Sequence, residues 1–318
     1  MACAIKELSK RIHPWKSRSR FVQSLCENIV YNKDGLIAIN KFYGIPVYKV
    51  KEDKMIPTVI TPFNGNFSLS IEECLPLLEK ELEVKQLEII KSTEKYSSGI
   101  LLLSSSDKVT EKVTKAFIRG KSKNIPHLIY WALTVGCPTT ETVREKVGIK
   151  LSIINDIKQP VIVREISANQ IKKKLVKPVI VECSLLESNK ELSCSLVKLA
   201  VSSVKSHFLK VYMTTRGSYV LGDVFFGRRV GMVLGKSVET STTYGAKSLP
   251  DNICQKLYLP CGTSNEAIPV MLHLNSIFLQ GYDSGKDLVV TAPPPSHFLW
   301  ICEKLEILPE CLKYLECK

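Results

Sequence analysis

The sequence predicts a mainly β protein, a β-sandwich or barrel with a few flanking helices. Apolar side chains alternate with a period of two over Val147–Lys158, which indicates a half-buried strand. From about residue 97 onward, many short apolar runs are separated by Gly, Pro, Asn and Asp, a pattern typical of sandwiches and barrels. Hydrophobic residues make up 45% of the 318 residues and charged residues 24%, so we expect a folded chain with a sizeable core.

Residues 1–95 are predicted to form a basic N-terminal arm with short strands and a helix. The arm holds Trp15 among its basic residues, so it is a candidate for phosphate contact with base stacking; a solvated, frayed terminus is the alternative. Extended runs follow at 36–50 and 55–61. A helix is predicted over 70–91, where Ser70 and Glu73 have the spacing of a capping box.

Residues 96–290 are predicted to form the β-rich core, and residues 291–318 a Pro-rich linker with a C-terminal helix over about 298–316. The segment 191–206 fits either a helix or a strand. The predicted strands are 99–104, 127–135, 147–155, 160–166, 176–185, 208–214, 219–226, 230–238, 268–279 and 287–292.

The charge points to binding of a polyanion. Lys and Arg number 44 against 31 Asp and Glu, a formal net charge of +13, which favours nucleic acid, an acidic membrane or an acidic protein. Basic clusters lie near aromatic residues, an arrangement suited to single-stranded nucleic acid; a solvated charged surface is the alternative. The candidate residues are Lys172, Lys173, Lys174, Lys177, Arg228, Arg229 and Lys236, and a further cluster comprises Lys112, Lys115, Arg119, Lys121 and Lys123.

Known catalytic motifs are missing from the sequence, and we expect no enzyme activity, cofactor or metal site. The run Val230–Ser237 approaches a P-loop, but Val230 stands where the first glycine is needed. Cys254, Cys261 and His273 do not have a common zinc spacing. The 11 cysteines indicate a reducing compartment, and we expect neither a signal peptide nor a transmembrane helix.

Residues 127–158 carry a family resemblance. An apolar strand reaches Gly136, a polar link follows, and a second apolar strand ends in Asp156 with Lys158 two places on. This arrangement resembles the signature of the plant-virus thirty-kilodalton (30K) movement-protein superfamily, most closely its rhabdovirus-like members from plant-infecting negative-strand RNA viruses. Within the 127–158 signature, Ile154 replaces the usual leucine. The segment 214–235 resembles a later strand pair of the same family.

The resemblance implies a jelly-roll-like core without enzyme activity. It implies a self-associating protein that binds single-stranded RNA or viral nucleocapsid and carries it through plasmodesmata at the cell periphery. The implied partners are the viral nucleocapsid protein or phosphoprotein and host plasmodesmal and peripheral membrane components. Two rival hypotheses remain: a matrix-like, membrane-apposed structural protein, and a nucleotide-using enzyme that rests on Gly235-Lys236-Ser237 alone.

Asp156 has two interpretations. Aspartate at the end of a strand accepts hydrogen bonds from the following backbone and starts a turn. In the alternative, Asp156 orients a basic loop or forms a contact between protomers. Direct contact with RNA is disfavoured, because a carboxylate repels phosphate.

Overall fold

The computed structural model describes residues 2–12, 15, 17–49, 69–154, 156–233, 236–240 and 248–309. Within these residues the helices are α1 (Ala2–Ile12), α2 (Arg18–Glu27), α3 (Ile71–Glu81), α4 (Asp107–Ser122), α5 (Ala168–Lys172), α6 (Phe208–Thr215), α7 (Asp251–Lys256) and α8 (Ser296–Lys304). The strands are β1 (Ile29–Lys33), β2 (Leu36–Lys41), β3 (Glu88–Lys91), β4 (Ser98–Ser104), β5 (Leu128–Val135), β6 (Val143–Ile154), β7 (Ile157–Val163), β8 (Lys177–Asn189), β9 (Cys194–Val201), β10 (Tyr219–Val220), β11 (Val230–Val233), β12 (Lys236–Glu239), β13 (Leu272–Asp283) and β14 (Lys286–Thr291).

The chain divides into two compact units, each built from two segments. The first unit comprises Met1–Ser122 and Leu272–Leu299, and the second comprises Lys123–Met271 and Trp300–Lys318. The predicted division into 1–95, 96–290 and 291–318 concerns functional regions and stays a prediction.

The first unit is built around β4. This strand pairs with β2 and β3 in antiparallel fashion and with β13 in parallel, through His273↔Ser98 and Leu274↔Gly99. Every residue of β2 and β4 is buried, as expected of strands covered on both faces. Helices α2 and α3 add Phe21, Leu25 and Leu78 to a core cluster, and α4 packs against β3, β4 and β13.

Gly99 allows the parallel pairing of β4 with β13. Its φ is +120°, and a Cβ at this position would lie 2.3 Å from the carbonyl oxygen of Leu274. Next to it, the Oγ of Ser98 lies 3.0 Å from Nδ1 of His273, whose Nε2 lies 3.0 Å from the carbonyl oxygen of Ala292. Since a carbonyl only accepts, Nε2 carries the proton, and Nδ1 accepts from Ser98. Burial lowers the pKa of His273 to about 4, so the ring is neutral.

The second unit contains an antiparallel sheet with the strand order β5-β9-β8-β6-β7, and β10 pairs with β5. Strands β6 and β7 form a hairpin whose last pair is Ile154↔Ile157. Asp156 lies in that turn with a φ of +59°, a conformation in which aspartate is tolerated. The strand predicted from the alternation over 147–155 is therefore confirmed, although it begins earlier, at Val143.

The prediction of a β-rich fold with flanking helices is confirmed in part, because the fold is mixed α/β with a β-rich framework; the jelly-roll arrangement is not shown. Six described helices, α1, α2, α4, α5, α6 and α7, were not expected from the sequence, and α4 and α6 show why. Helix α4 lies in a lysine-rich stretch that was predicted only as a basic cluster. The helical spacing of Val109, Val113 and Ala116 was the signal that could have predicted it. Helix α6 occupies a predicted strand; seven of its eight residues are buried, Lys210 and Thr214 among them, so burial is not confined to one apolar face that the sequence could reveal.

The predictions for the N-terminal region and for helix α3 are confirmed only in part. The capping box of Ser70 and Glu73 is confirmed, but α3 ends at Glu81 and residues 88–91 form a strand. Trp15 does not present a base-stacking surface: it is buried, with its ring centroid 4.9 Å from that of Phe21. The run at 55–61 lies outside the described residues. No helix in the described part of the chain is long and apolar enough to cross a membrane.

Candidate active site

A tightly held loop joins β3 to β4 in the first unit. The carbonyl of Glu94 accepts hydrogen bonds from the backbone nitrogen of Ser97 at 3.3 Å and from its Oγ at 3.2 Å. The hydroxyl of Thr93 donates to the carbonyl of Ser97 at 3.3 Å, and the backbone nitrogen of Gly44 donates to Lys95 at 2.8 Å. These bonds fix the loop backbone, while the Glu94 side chain is exposed.

Lys41 anchors this loop from the end of β2. Its side chain is 1% exposed, and its ammonium donates to the carbonyls of Phe42 (2.9 Å), Ile45 (3.2 Å) and Ser97 (2.9 Å). An ammonium has three donors, so all are used. Burial lowers the pKa of Lys41 to about 7. The cation is therefore balanced by carbonyl dipoles, and its charge responds to pH near neutrality.

Aromatic side chains pack beside Lys41. The ring centroid of buried Tyr43 lies 6.2 Å from that of Tyr96 and 5.7 Å from that of His297. The Lys95 ammonium lies 5.0 Å from the centroid of the Tyr96 ring, close enough for a cation–π contact. Glu94 is thus an exposed carboxylate on a loop braced by hydrogen bonds and aromatic packing. A carboxylate can act on a substrate as a nucleophile or as a general base.

A second cluster lies at the start of α6 in the second unit. Ser206 and His207 precede the helix with φ values of +58° and +56°, left-handed conformations that cost energy for non-glycine residues. Asp223 is 2% exposed, and its Oδ1 accepts from the backbone nitrogens of Phe225 (3.3 Å) and Phe226 (3.4 Å). Burial raises the pKa of Asp223, and Lys210 opposes that rise. The cluster therefore combines buried opposite charges with backbone strain.

Glu145 fixes the orientation of α6. The hydroxyl of buried Tyr212 donates to Oε1 of Glu145 at 2.6 Å, and Arg164 pairs with Oε2 at 3.2 Å. Arg216, the residue that follows α6, lies 3.8 Å from Oε1. Burial, followed by the hydrogen bond to Glu145, raises the pKa of Tyr212 far above its ordinary value. The hydroxyl is therefore a permanent donor that ties α6 to β6.

The structure places the predicted nucleic-acid residues in different settings. Lys172, Lys173 and Lys174 are exposed at the end of α5, and Lys177 begins β8 half-buried. Arg228 is half-buried. Arg229 is 4% exposed and donates to the carbonyl of Pro160 at 2.8 Å and to Gln159 at 2.9 Å, so its guanidinium is engaged within the fold. The side chain of Lys236 lies outside the described residues.

The three residues of the supposed viral signature fall on two different elements of the second unit. Gly136 follows β5 with a φ of +88°, where a Cβ would lie 3.2 Å from the Gly217 carbonyl. Asp156 is in the hairpin turn, and Lys158 is exposed at the start of β7. The positive φ values of Gly136 and Asp156 explain why glycine and aspartate occupy these positions. A functional role for Gly136, Asp156 and Lys158 stays a prediction.

The sequence did not single out the loop clusters. Lys41 ends an apolar strand and is followed by two aromatic residues and a glycine. This position could have indicated a buried, hydrogen-bonded lysine, because lysine is almost never fully buried unless its charge has partners. Glu94 had no comparable signal, since a Thr-Glu-Lys run in a loop is ordinary. In the described residues, no group of three or more His, Cys, Asp and Glu side chains is arranged to hold a metal ion.

Comparisons with known proteins lead away from viruses. No protein-family model matches the chain. It is 28% identical over 284 residues to the mitochondrial mRNA pseudouridine synthase RPUSD3 of Homo sapiens, covering 87% of this chain and 76% of that protein. It is 24% identical over 324 residues to the mitochondrial pseudouridylate synthase RPUSD4 of Danio rerio, covering 95% of this chain and 80% of that protein.

Several sequence-based predictions are therefore wrong. Relatives named as RNA pseudouridine synthases overturn the kinship with movement proteins, the viral movement and matrix functions, and the prediction that the chain is not an enzyme. The same names, which include a mitochondrial location, overturn the plasmodesmal location. Viral nucleocapsid and plasmodesmal partners lose their support, because they rested on the viral resemblance alone.

The solved structure of the human RNA pseudouridylate synthase domain-containing protein 4 gives the fold. It superposes with a TM-score of 0.66 at 20% sequence identity, covering 92% of this chain and 98% of that chain. The match spans nearly the full length of both chains. The chain therefore has the mixed α/β fold of a pseudouridylate synthase domain.

Proposed function

We propose that this chain is an RNA pseudouridine synthase. One observation carries the proposal: the likeness in sequence and the likeness in fold both run along nearly the whole chain and both lead to proteins named for this activity. The strongly basic composition supports an RNA substrate, since a polyanion is attracted to a chain of net charge +13.

The reaction converts uridine within RNA into its C-glycoside isomer. The bond from N1 of uracil to C1′ of ribose breaks, a bond from C5 to C1′ forms, and the proton on C5 is lost while N1 gains one. Because the product is an isomer of the substrate, the atoms balance without a co-reactant. The protein must supply a group that acts at C1′ or removes the C5 proton, and it must hold the base during its rotation.

We assign the reactive group to the Glu94 carboxylate. Carboxylates act at anomeric carbons both as nucleophiles and as general bases. Glu94 is exposed on a loop whose backbone is fixed by Ser97, Gly44 and Lys41, so its position is set before substrate binds. Such preorganisation favours catalysis, because little reorganisation is required during the reaction. Lys41 acts as a positioning residue through the carbonyl of Ser97.

The exposed lysines Lys172, Lys173 and Lys174 are proposed RNA contacts. They lie together at the end of a short helix and are open to solvent, as phosphate contacts require. Arg229 is left out of this proposal, because its guanidinium is engaged by Pro160 and Gln159. A mitochondrial location is also proposed, on the names of the relatives.

The test is formation of pseudouridine in RNA transcripts labelled with tritium at C5 of uridine, since tritium is released when the C5 proton is lost. We expect release with the wild-type chain and its loss in Glu94→Gln. The matched control is Glu81→Gln, which neutralises an exposed carboxylate at the end of α3. Full activity in Glu94→Gln would overturn the assignment of Glu94. No release by the wild-type chain from a transcript pool of its own cell would overturn the proposed function.

A further inference from the structure

Helix α4 presents one buried face and one basic face. Val109, Val113, Ala116 and Gly120 are buried against the first unit. Four basic residues recur at spacings of four, three and four residues on the solvent side: Lys108, Lys112, Lys115 and Arg119. At about 100° per residue they fall within an arc of about 60°, and at about 1.5 Å per residue they extend over about 17 Å. We call these four residues the α4 stripe.

Little within the fold neutralises the α4 stripe. In the described part of the chain, Lys108 and Lys112 form no ion pair. Lys115 lies 2.7 Å from Glu111, but both side chains are more than half exposed, and exposed pairs bind weakly. Arg119 donates to the carbonyl of Gly281 at 2.7 Å, which fixes its side chain without cancelling its charge. The stripe is therefore a row of cations with net positive charge.

A membrane surface fits this helix poorly. Helices that bind membranes bury an apolar face among the lipids while basic residues contact the headgroups. In α4 the apolar face is already used, because Val109, Val113 and Ala116 are buried within the protein. Phosphate groups of a nucleic-acid strand need only the exposed cations. The spacing along the helix suits several successive phosphates, and contacts of this kind carry no base specificity.

We infer that the α4 stripe binds the phosphodiester backbone of the RNA substrate. This inference rests on the proposed function and adds to it a surface remote in sequence from Lys172, Lys173 and Lys174. Binding there is electrostatic and independent of base sequence, and it raises the affinity for RNA without taking part in the chemistry. It predicts an effect on KM and none on kcat.

The experiment compares two triple variants of equal charge. The test variant is Lys108→Gln, Lys112→Gln, Lys115→Gln; Arg119 is retained because of its contact with Gly281. The control is Lys33→Gln, Lys85→Gln, Lys286→Gln, which removes three exposed lysines that share no helix face. RNA affinity is measured by fluorescence anisotropy with a labelled single-stranded transcript at several salt concentrations, beside thermal unfolding.

We expect the test variant to bind RNA about tenfold to a hundredfold more weakly than the wild-type chain, with the slope of log K against log salt reduced by about 2. The control should retain most of the wild-type slope. The KM for pseudouridine formation should rise while kcat stays unchanged. Equal slopes for the test and control variants would overturn the inference, as would a selective loss of binding to phosphatidylserine vesicles with RNA binding intact.

The outcome separates this inference from the proposed function. If the wild-type chain binds RNA but forms no pseudouridine, the anisotropy slopes still decide whether the α4 stripe binds the backbone. If the wild-type chain forms pseudouridine and the test variant has the wild-type slope and KM, the stripe is a solvated face and only this inference falls.

Discussion

The ammonium of Lys41 donates a hydrogen bond of 2.9 Å to the carbonyl of Ser97, a residue 56 positions later in the chain. This bond joins the end of β2 to the loop that carries Glu94. Its two neighbours, to Phe42 and Ile45, complete the donors of the ammonium. The carboxylate proposed to act on the substrate is therefore positioned by a buried cation that does not itself reach the solvent.

Replacing Lys41 with methionine should destabilise the first unit and slow the reaction. The substitution keeps most of the side-chain volume but leaves three carbonyls without their donor, and an unsatisfied buried group costs about 1–3 kcal/mol. We expect a lower urea midpoint and a reduced kcat at temperatures where the variant is folded. Wild-type kcat in a folded Lys41→Met variant would show that the loop does not need this anchor.

The stability of the wild-type chain should depend on the ionisation of Lys41. Its pKa is about 7 in the folded state against an ordinary value of 10.5, so between these values the unfolded state binds more protons. The contribution of Lys41 to the free energy of unfolding therefore rises as pH increases from about 7 to 10.5. Below pH 7 the destabilisation caused by burying the charged ammonium is fully present. Urea unfolding from pH 7 to 9.5 should give a smaller rise in Lys41→Met than in the wild-type chain. Parallel curves of stability against pH for the two proteins would contradict the assignment of this pH dependence to Lys41.

His273 should contribute a second pH dependence at acid pH. Its pKa is lowered to about 4 from 6.5, so between these values the unfolded state is protonated while the buried ring stays neutral. Stability should fall as pH decreases from 6.5 to 4, by about 3 kcal/mol at most, since one pKa unit corresponds to about 1.4 kcal/mol. In His273→Asn the absolute stability is lower, but this slope should be absent. Acid unfolding followed by circular dichroism measures the absolute stability and its slope against pH. A slope that is unchanged in His273→Asn would exclude His273 as the source of the pH dependence.

Gly99→Ala should be among the most damaging single substitutions. The new Cβ would lie 2.3 Å from the Leu274 carbonyl at a φ of +120°, so the β4–β13 pairing must shift. We expect a loss of soluble folded protein or a fall in Tm of many degrees. Gly285→Ala is the matched control: its φ is +88°, but nothing lies within 4 Å of the added atom. It therefore has backbone strain alone, and equal effects of the two substitutions would rule out the steric explanation.

Tyr212→Phe should loosen α6 while preserving its packing. The variant loses the 2.6 Å bond to Glu145, and a hydrogen bond to a charged group contributes about 1.5–3 kcal/mol. A double-mutant cycle with Glu145→Ala tests the pair, because alanine removes the acceptor and the coupling energy then isolates their interaction. Coupling near zero would mean that Arg164 and Arg216 hold Glu145 without the tyrosine.

The sequence alone determined the local features whose causes lie within a few residues. The alternation over 147–155 gave a strand of the β6–β7 hairpin, and Ser70 with Glu73 gave the start of α3, because both signals depend on neighbouring positions. The net charge of +13 pointed to a polyanionic partner, which agrees with the RNA substrate now proposed. The short signature through Gly136 and Asp156 misled, because both residues meet backbone requirements that many folds share.

Only the tertiary structure decided which strands pair, which helices form and which polar residues meet. Helix α6 could not be recognised locally, because its burial is not confined to one apolar face. Glu94 could be identified as a candidate reactive group only from the tertiary structure, because the loop that carries it is held by Lys41, which is distant in sequence. Contacts between remote residues leave no periodic trace in a single sequence. The placement of a reactive group depends on such contacts, whereas the conformation of a turn or a helix start depends on residues beside it.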